Sequence, residues 1–469
     1  ELNMSDSFDR MTGKRSAKSM ILSLFFLALI AVGAIAFFKY YEREKPQFNF
    51  HGDISIFGLT REVKFAVSDA RSGISLVEIV MTQGDKSAKV YEKKFSRVGF
   101  FENNGPKKLE ETVILESGAL GLTDGEAELQ VTVRDFSFWN WMAGNETIMT
   151  YPVTMDTHPP KISILHSTRY VSPGGSGMVV YKIDDTVAKH GLTVNGHFNP
   201  GFPVSDEQND RYIAFFGLPF DTENIDKAVV NATDMAGNAG DAAFGMILKK
   251  KNFKQDQINI NDNFLNLKIP EFAHEYPQLS GSLVDKFVYV NSRIREENYQ
   301  AIVAATANPS PLRLWQGPFE RMARSSRMAG FAEYRTYYYN NDEIDKQVHL
   351  GIDLASTKRA EVKAANRGTV AFADYLGIYG NTIILDHGQG IFSLYSHLSE
   401  IGVAVGELKE KGATIGLSGT SGMAGGDHLH FSILVNGIFV TPVEWWDQQW
   451  LQLNIHDILD GSKSKYKNF

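Results

Sequence analysis

The sequence predicts a mainly β protein carried behind one membrane-spanning helix. Three observations give this class. An uncharged apolar run stands near the N-terminus, the middle of the chain breaks into short alternating runs, and the last third alternates such runs with glycine turns. The expected order is a cytoplasmic tail at 1–19, a transmembrane helix at 20–38 and β-sandwich modules at 46–157 and 158–251. A helical connector at 252–330, an antiparallel β domain at 331–450 and a C-terminal tail at 451–469 complete it.

The chain has 469 residues, more than one core serves, so several domains are expected. A formal net charge of −8 without a long basic patch argues against a nucleic-acid partner. There is no cysteine, which removes disulfides, thiolate nucleophiles and thiolate metal ligands together. Any bound metal must then be held by histidine and carboxylate.

Met20 to Phe38 is nineteen residues without a charge. At about 1.5 Å per residue that just crosses a hydrocarbon core of roughly 30 Å. Lys14, Arg15 and Lys18 precede it and favour an N-terminus kept in the cytosol, although Lys39, Arg43 and Lys45 follow. Ala34-Ile35-Ala36 offers small residues suited to signal-peptide cleavage, but Phe37 and Phe38 prolong the apolar run. An uncleaved anchor is the expectation, with everything after Tyr41 outside the inner membrane.

From Phe48 to Leu248, runs such as Val63–Val67, Leu76–Met81, Ala127–Val133 and Lys227–Asp234 have period two and suit half-buried strands. A weak repeat is visible: Asp135 to Gly144-Asn145 matches Asp234 to Gly237-Asn238, with Asp69 and Asp184 at similar distances upstream. Asp156 to Pro160 reads as a junction, because paired prolines stop strands. These segments resemble bacterial immunoglobulin-like repeats, which implies a spacer. No cluster of titratable groups is expected here, so a stalk outweighs a binding role. The run Phe136-Ser137-Phe138-Trp139-Asn140-Trp141 is the one candidate contact surface, with core burial expected for at least half its rings.

After a polar connector to Asn263, Leu283, Val284, Phe287, Val290 and Ile294 recur at helical spacing and predict a helix ending near Asn308-Pro309. A second short helix is expected over Phe319 to Met328. Such a segment before the last domain suits either a gate over its groove or a plain strut.

The chain has twelve histidines, and the informative ones fall between His349 and His430. His428-Leu429-His430 lies in an apolar run, so on a strand both imidazoles meet one site. His349 and Asp353 are again an even number apart, with Gly351 between them. Two histidines and a carboxylate give a three-ligand zinc set with a position left for water, the pattern of a catalytic site. Tyr395-Ser396-His397-Leu398 supplies a further histidine.

Together with Asn366 to Val370, Tyr379-Gly380-Asn381, Asp386-His387-Gly388, Val405-Gly406, Gly419 to Gly422 and Thr441-Pro442, these clusters resemble the LytM/lysostaphin-type zinc metallopeptidases over Phe331 to Trp446. The resemblance implies one Zn²⁺ per chain on His349, Asp353 and His430. His397 and His428 would be the catalytic pair, which orients and deprotonates the attacking water and holds the charge of the tetrahedral intermediate. It implies a hydrolase acting on peptide cross-links of bacterial peptidoglycan, its domain in the periplasm. The implied partners are stem peptides, the inner membrane through one helix, and a cytoplasmic scaffold for the N-terminal tail. The alternative is a catalytically silent LytM-like regulator that binds and activates a cell-wall amidase. Two positions depart from the family pattern. Asp427 stands where many members carry proline, with an expected influence on His428 or on substrate preference, and Ser432 where many carry glutamate. His387 is expected to be structural.

Overall fold

A computed structural model describes residues 17–99, 104–204 and 210–459. The expected tail with Lys14 and Arg15, and residues 460–469, lie outside them. The chain divides into two compact units, Glu1–His158 with Met235–Asn238, and Pro159–Asp234 with Ala239–Phe469.

The first unit begins with the helix Ala17–Tyr40, of which Lys18–Phe38 is long and apolar enough to cross a membrane. The large apolar side chains along it are exposed, as in a helix whose packing partner is not protein. A three-stranded sheet follows, in which Thr60–Ser68 pairs with Gln47–His51 and Lys108–Glu116. Facing it is a five-stranded sheet built around Ile74–Gln83 and Gly125–Asp135. Along Thr60–Ser68, Val63, Phe65 and Val67 alternate inward, and they share one core with Phe48, Val77, Ile79, Leu129 and Val131. The aromatic run divides: the Phe138 ring packs 5.2 Å from Tyr40 and Trp139 5.6 Å from Tyr41, while Trp141 is 99% exposed. Asn140, Trp141 and Met142 all take left-handed backbone angles, which turns the loop outward there.

In the second unit, two four-stranded sheets form a β module. One is ordered Phe202–Pro203, Arg211–Gly217, Ser176–Ile183, Ile162–Ser167. The other is ordered His197–Pro200, Val187–Val194, Ala228–Asp234, Ala239–Ala243. The strand Ser176–Ile183 is buried on both faces: Val179, Tyr181 and Ile183 enter the module's own core, whereas Met178 and Val180 enter the core of the C-terminal domain. Ile213 and Phe215 do the same from the neighbouring strand. Polar ties reinforce this packing, with Ser176 N and Oγ donating to the Glu444 carboxylate at 2.9 and 3.0 Å and Asn436 Nδ2 donating to Phe215 O at 2.8 Å.

The connector differs from expectation in three ways. The helix at Leu283 runs to Tyr289 with a Ser282 capping box, continues as a π-type turn at Val290–Ile294, and resumes as Arg295–Ala305. A helix at Asp262–Glu275, capped by Asn261, was not expected, because Pro270 and scattered polar residues mask its period. Phe319 to Met328 is not helical: Phe319 N bonds Trp445 O, Glu320 N bonds Ala365 O, and Ser326–Ala329 pairs with Ile352–Ala355. Backbone donors spent on outside partners cannot close helical turns.

The C-terminal domain is built on an eight-stranded antiparallel sheet. Its order is Ser326–Ala329, Ile352–Ala355, Leu429–Val435, Ile391–Leu398, Asn381–Asp386, Gly368–Tyr375, Leu408–Lys409, with Ile438–Val440 paired to Leu429–Val435. Residues 451–459, read as the start of a tail, are helical and bury Leu451, Ile455 and Leu459.

Candidate metal centre

The sheet brings the two even-spaced motifs face to face. In the pairing of Ile352–Ala355 with Leu429–Val435, Asp353 stands opposite His430, and Ser396 flanks His430 on its other side. His349 closes the strand Asp342–His349 and returns through Gly351, where a Cβ would lie 2.4 Å from His430 Nε2. Only glycine permits that approach.

Three ligand atoms meet. His349 Nε2 lies 2.9 Å from Asp353 Oδ1 and 2.9 Å from His430 Nδ1, and His430 Nδ1 lies 3.0 Å from Asp353 Oδ1. The far side of each ring is spoken for. His349 Nδ1 faces Gly330 O at 2.8 Å, an acceptor only, so Nδ1 carries the proton. Ser432 Oγ donates to Leu350 O at 2.8 Å and so accepts from His430 Nε2 at 3.1 Å. In their neutral forms both rings therefore turn bare lone pairs toward each other and toward a carboxylate oxygen. Three buried acceptors without a proton between them repel unless a cation lies there. The donor set of two imidazoles and one carboxylate fits zinc.

His397 and His428 stand beside this cluster with ring centroids 4.9 Å apart. Each anchors Nδ1–H on a backbone carbonyl, Ser421 O at 2.9 Å and Gly426 O at 2.7 Å, which leaves Nε2 available. His428 Nε2 lies 3.6 Å from Asp353 Oδ1. His397 occupies a bulge: Asn381 pairs with Leu398 and Ile383 with Tyr395, leaving Ser396 and His397 opposite Thr382. Its φ of 62° is left-handed, a costly conformation for a histidine that the surrounding sheet imposes.

Burial alone would raise the Asp353 carboxyl, but the His349, His428 and His430 rings outweigh it and hold it well below the carboxylate range. Burial pushes His430 down to about 4 and, with the neighbouring rings, His397 well below its ordinary value. Burial also opposes charge on His428, yet the hydrogen bond and charge of Asp353 more than offset it and raise its pKa.

Beside the rings is a cavity of about 370 Å³. The connector supplies one wall through Ile258, Asn261, Phe264 and Phe287, and the domain supplies Tyr337 and Met423 opposite. Glu271 Oε1 accepts from Gly422 N at 2.7 Å, and the Lys268 ammonium donates to Thr420 O. Sequence reading missed Arg335, whose Nη2 lies 3.3 Å from Asp353 Oδ2, and Tyr379, whose ring lies 5.6 Å from that of His430. Arg335 sits in a strand of ordinary alternation, so no local signal marks it, whereas Tyr379 belongs to the quoted Tyr379-Gly380-Asn381 run. Asp427 accepts from Ser418 Oγ at 2.6 Å and from Arg359 N at 3.0 Å, so its carboxylate braces two loops. His387 is fully buried between Arg367 O at 2.8 Å and Ser393 Oγ at 2.7 Å.

Residues 347–442 match the model of Peptidase family M23. The chain is 37% identical over 97 residues to the DD-carboxypeptidase/endopeptidase Mpg of Neisseria meningitidis serogroup B, covering 21% of this chain and 22% of that protein. It is 37% identical over 95 residues to the murein hydrolase activator EnvC of Escherichia coli, covering 20% of this chain and 23% of that protein. A putative peptidase M23 from Pseudomonas aeruginosa aligns with 59% of this chain and 94% of its own at 21% identity and a TM-score of 0.37. The match thus spans less than a quarter of the length of these two curated relatives.

Proposed function

Given that the chain carries a LytM-type peptidase M23 domain at its C-terminus, we propose that it is a membrane-anchored zinc metalloendopeptidase hydrolysing peptide cross-links of bacterial peptidoglycan. The observation that carries this reading is the convergence of three bare donor atoms, His349 Nε2, Asp353 Oδ1 and His430 Nδ1, at 2.9 to 3.0 Å from one another. These atoms would hold the metal, one Zn²⁺ per chain. When bound, zinc supplies Lewis acidity that acidifies water and polarises a peptide carbonyl.

The chain's own contribution is positioning and proton movement. His397 and His428 each present Nε2 from a ring whose Nδ1–H is fixed on a carbonyl, so both are oriented before substrate arrives. At these nitrogens a proton is taken from the attacking water and returned to the leaving amine, and hydrogen bonds meet the charge that develops on the carbonyl oxygen. The cavity walled by Ile258, Phe264 and Phe287 gives the stem peptide an apolar bed and keeps bulk water off the site. The helix Ala17–Tyr40 would hold the enzyme at the inner membrane with the N-terminus cytoplasmic, where the tail is free to meet a scaffold partner. The β modules, read as immunoglobulin-like spacers, would extend on the outer side.

The similarity to EnvC supports a second reading, a catalytically silent regulator that activates a cell-wall amidase. All five side chains of the proposed site are present and oriented, which favours catalysis. The decisive measurement is bound zinc and soluble fragments after incubating the full chain with cross-linked peptidoglycan, beside His430→Ala. Wild type should carry zinc and release fragments that the variant does not. A wild type that binds no zinc, or that releases only what the variant releases, ends the enzyme reading. Stimulation of an added amidase without cleavage would establish the regulator.

A further inference from the structure

Sequence reading expected no titratable cluster ahead of the C-terminal domain, yet the first unit contains a fully buried one besides a more exposed group at Asp124, Asp156 and His158. Glu42 lies just beyond the helix Ala17–Tyr40, Asp69 follows the strand Thr60–Ser68, and Asp135 ends the strand Gly125–Asp135. Their exposures are 4%, 7% and 2%, and one oxygen from each lies within 4.8 Å of the others.

We propose that Glu42, Asp69 and Asp135 bind a divalent cation, Ca²⁺ by its chemistry. Backbone amides pin each carboxylate. Ser72 N donates to Glu42 Oε2 at 2.7 Å, Gly73 N to Asp69 Oδ2 at 2.6 Å, and Asn145 N to Asp135 Oδ1 at 2.7 Å. Glu42 Oε1 and Asp69 Oδ1 are both buried, and among the described residues neither has a hydrogen-bond partner. Orphaned carboxylate oxygens in a protein interior are costly, and two of them in one cluster need a common partner.

A proton or a cation could fill that place. One proton shared between the two orphan oxygens would leave the three carboxylates mutually repelling with two negative charges; a dication serves both oxygens and removes most of that charge. The amide donors stabilise the ionised carboxylates and so work against protonation. Burial raises the pKa of both Glu42 and Asp69, repulsion from Asp69 adds to it at Glu42, and at Asp69 repulsion from Asp135 adds to it against the Gly73 amide; a dication would relieve that repulsion. The side-chain donors are all oxygen, which selects Ca²⁺ or Mg²⁺ over zinc. Mg²⁺ keeps several waters in a strict octahedron, whereas Ca²⁺ accepts irregular sets of carboxylate and carbonyl oxygens, the better fit to so enclosed a site.

The consequence is mechanical. Asn145 Nδ2 donates to both Glu42 O and Glu44 O at 3.1 Å, so the segment leaving the helix already runs along this cluster. A cation there would clamp the exit from the helix to the first module and stiffen the start of the stalk. The visible repeat puts Asp184 and Asp234 at the matching places in the second copy's sequence.

The test is calorimetric titration of CaCl₂ and MgCl₂ into the full chain, freed of calcium and kept saturated with zinc, with thermal unfolding followed in parallel. Wild type should bind Ca²⁺ with a Kd of about 0.1–1 mM, as extracellular modules do, and about tenfold more weakly Mg²⁺, with a rise in the unfolding midpoint. Glu42→Gln should lose one bound equivalent and the calcium-dependent rise. It should unfold no earlier than wild type without calcium, since a repelling charge has gone, which guards against a folding defect. Asp69→Asn should behave alike. Absence of Ca²⁺ binding in wild type, or full binding retained in both variants, overturns the proposal. So does a midpoint that rises on acidification and ignores calcium, because a shared proton would then hold the cluster. None of these readouts depends on peptidase turnover, so the two proposals stand or fall separately.

Discussion

Among the described residues two fully buried clusters of converging donors stand out, and they differ in charge more than in design. In both, hydrogen bonds pin the groups and leave inward atoms bare, although in the second these are Glu42 Oε1 and Asp69 Oδ1 alone among the described residues, because Ser137 N, Asn145 N and Asn145 Nδ2 all donate to Asp135. His349, Asp353 and His430 offer two neutral rings and one carboxylate, so a bound dication keeps net positive charge and can polarise substrate. Glu42, Asp69 and Asp135 offer three carboxylates, which would more than neutralise a dication and leave it a structural role. His397 and His428 attend the first cluster with Nδ1–H fixed on carbonyls, whereas backbone amides, the Ser72 hydroxyl and the Asn145 side chain pin the carboxylates of the second. Donor charge, more than burial, separates a site that can react from one that can only hold.

Loss of the attending histidine pair should have the largest effect. His397→Ala and His428→Ala should each lower turnover by about 10²–10⁴-fold while bound zinc is kept, because neither is assigned as a ligand. Loss of zinc in either variant would merge the two roles that the geometry keeps apart. A buried histidine that does not belong to the cluster provides the contrast. His387 is held neutral by burial, with its pKa down to about 4 and both nitrogens partnered. His387→Ala should cost about 3 kcal/mol in chemical unfolding, through a cavity and stranded partners, with zinc stoichiometry unchanged.

Glu444 tests what a half-buried carboxylate does outside such a cluster. Burial raises its pKa to about 7, against the hydrogen bonds from Ser176. The folded state thus binds more protons than the unfolded one between the ordinary glutamate range and pH 7, so stability falls as pH rises through that window. Glu444→Gln should flatten this slope and gain on the order of 2 kcal/mol at pH 8, read from unfolding midpoints at pH 5 and 8. A wild-type midpoint that does not move across the window would show that Ser176 fully offsets the burial. The smallest effect is expected at Ser432, which touches the metal set through His430 Nε2 alone. Ser432→Ala should weaken zinc binding about tenfold in a chelator competition.

Periodicity read along the chain was enough for the features that depend on near neighbours. The apolar run at Met20 to Phe38, the period-two strands at Val63 and Ala127, and the i, i+2 spacing of His428 and His430 each encode a face or a length directly. The helix at Asp262–Glu275 escaped because Pro270 interrupts its pattern, and Phe319 to Met328 misled because its apolar residues serve contacts with Trp445 and Ala365 instead of a helical stripe. The candidate zinc ligands were legible through motif spacing. Their tautomers were not, since these rest on Gly330 O meeting His349 and Leu350 O meeting Ser432, contacts that only folding makes. Arg335 and the two-sided burial of Ser176–Ile183 left no mark along the chain, and the repeat that picked out Asp69 and Asp135 did not show that they meet Glu42. Spacing along a strand or helix follows from local backbone geometry, which each residue carries with it. Which faces and charges meet across strands depends on sheet order and register, and those exist only once distant segments have packed.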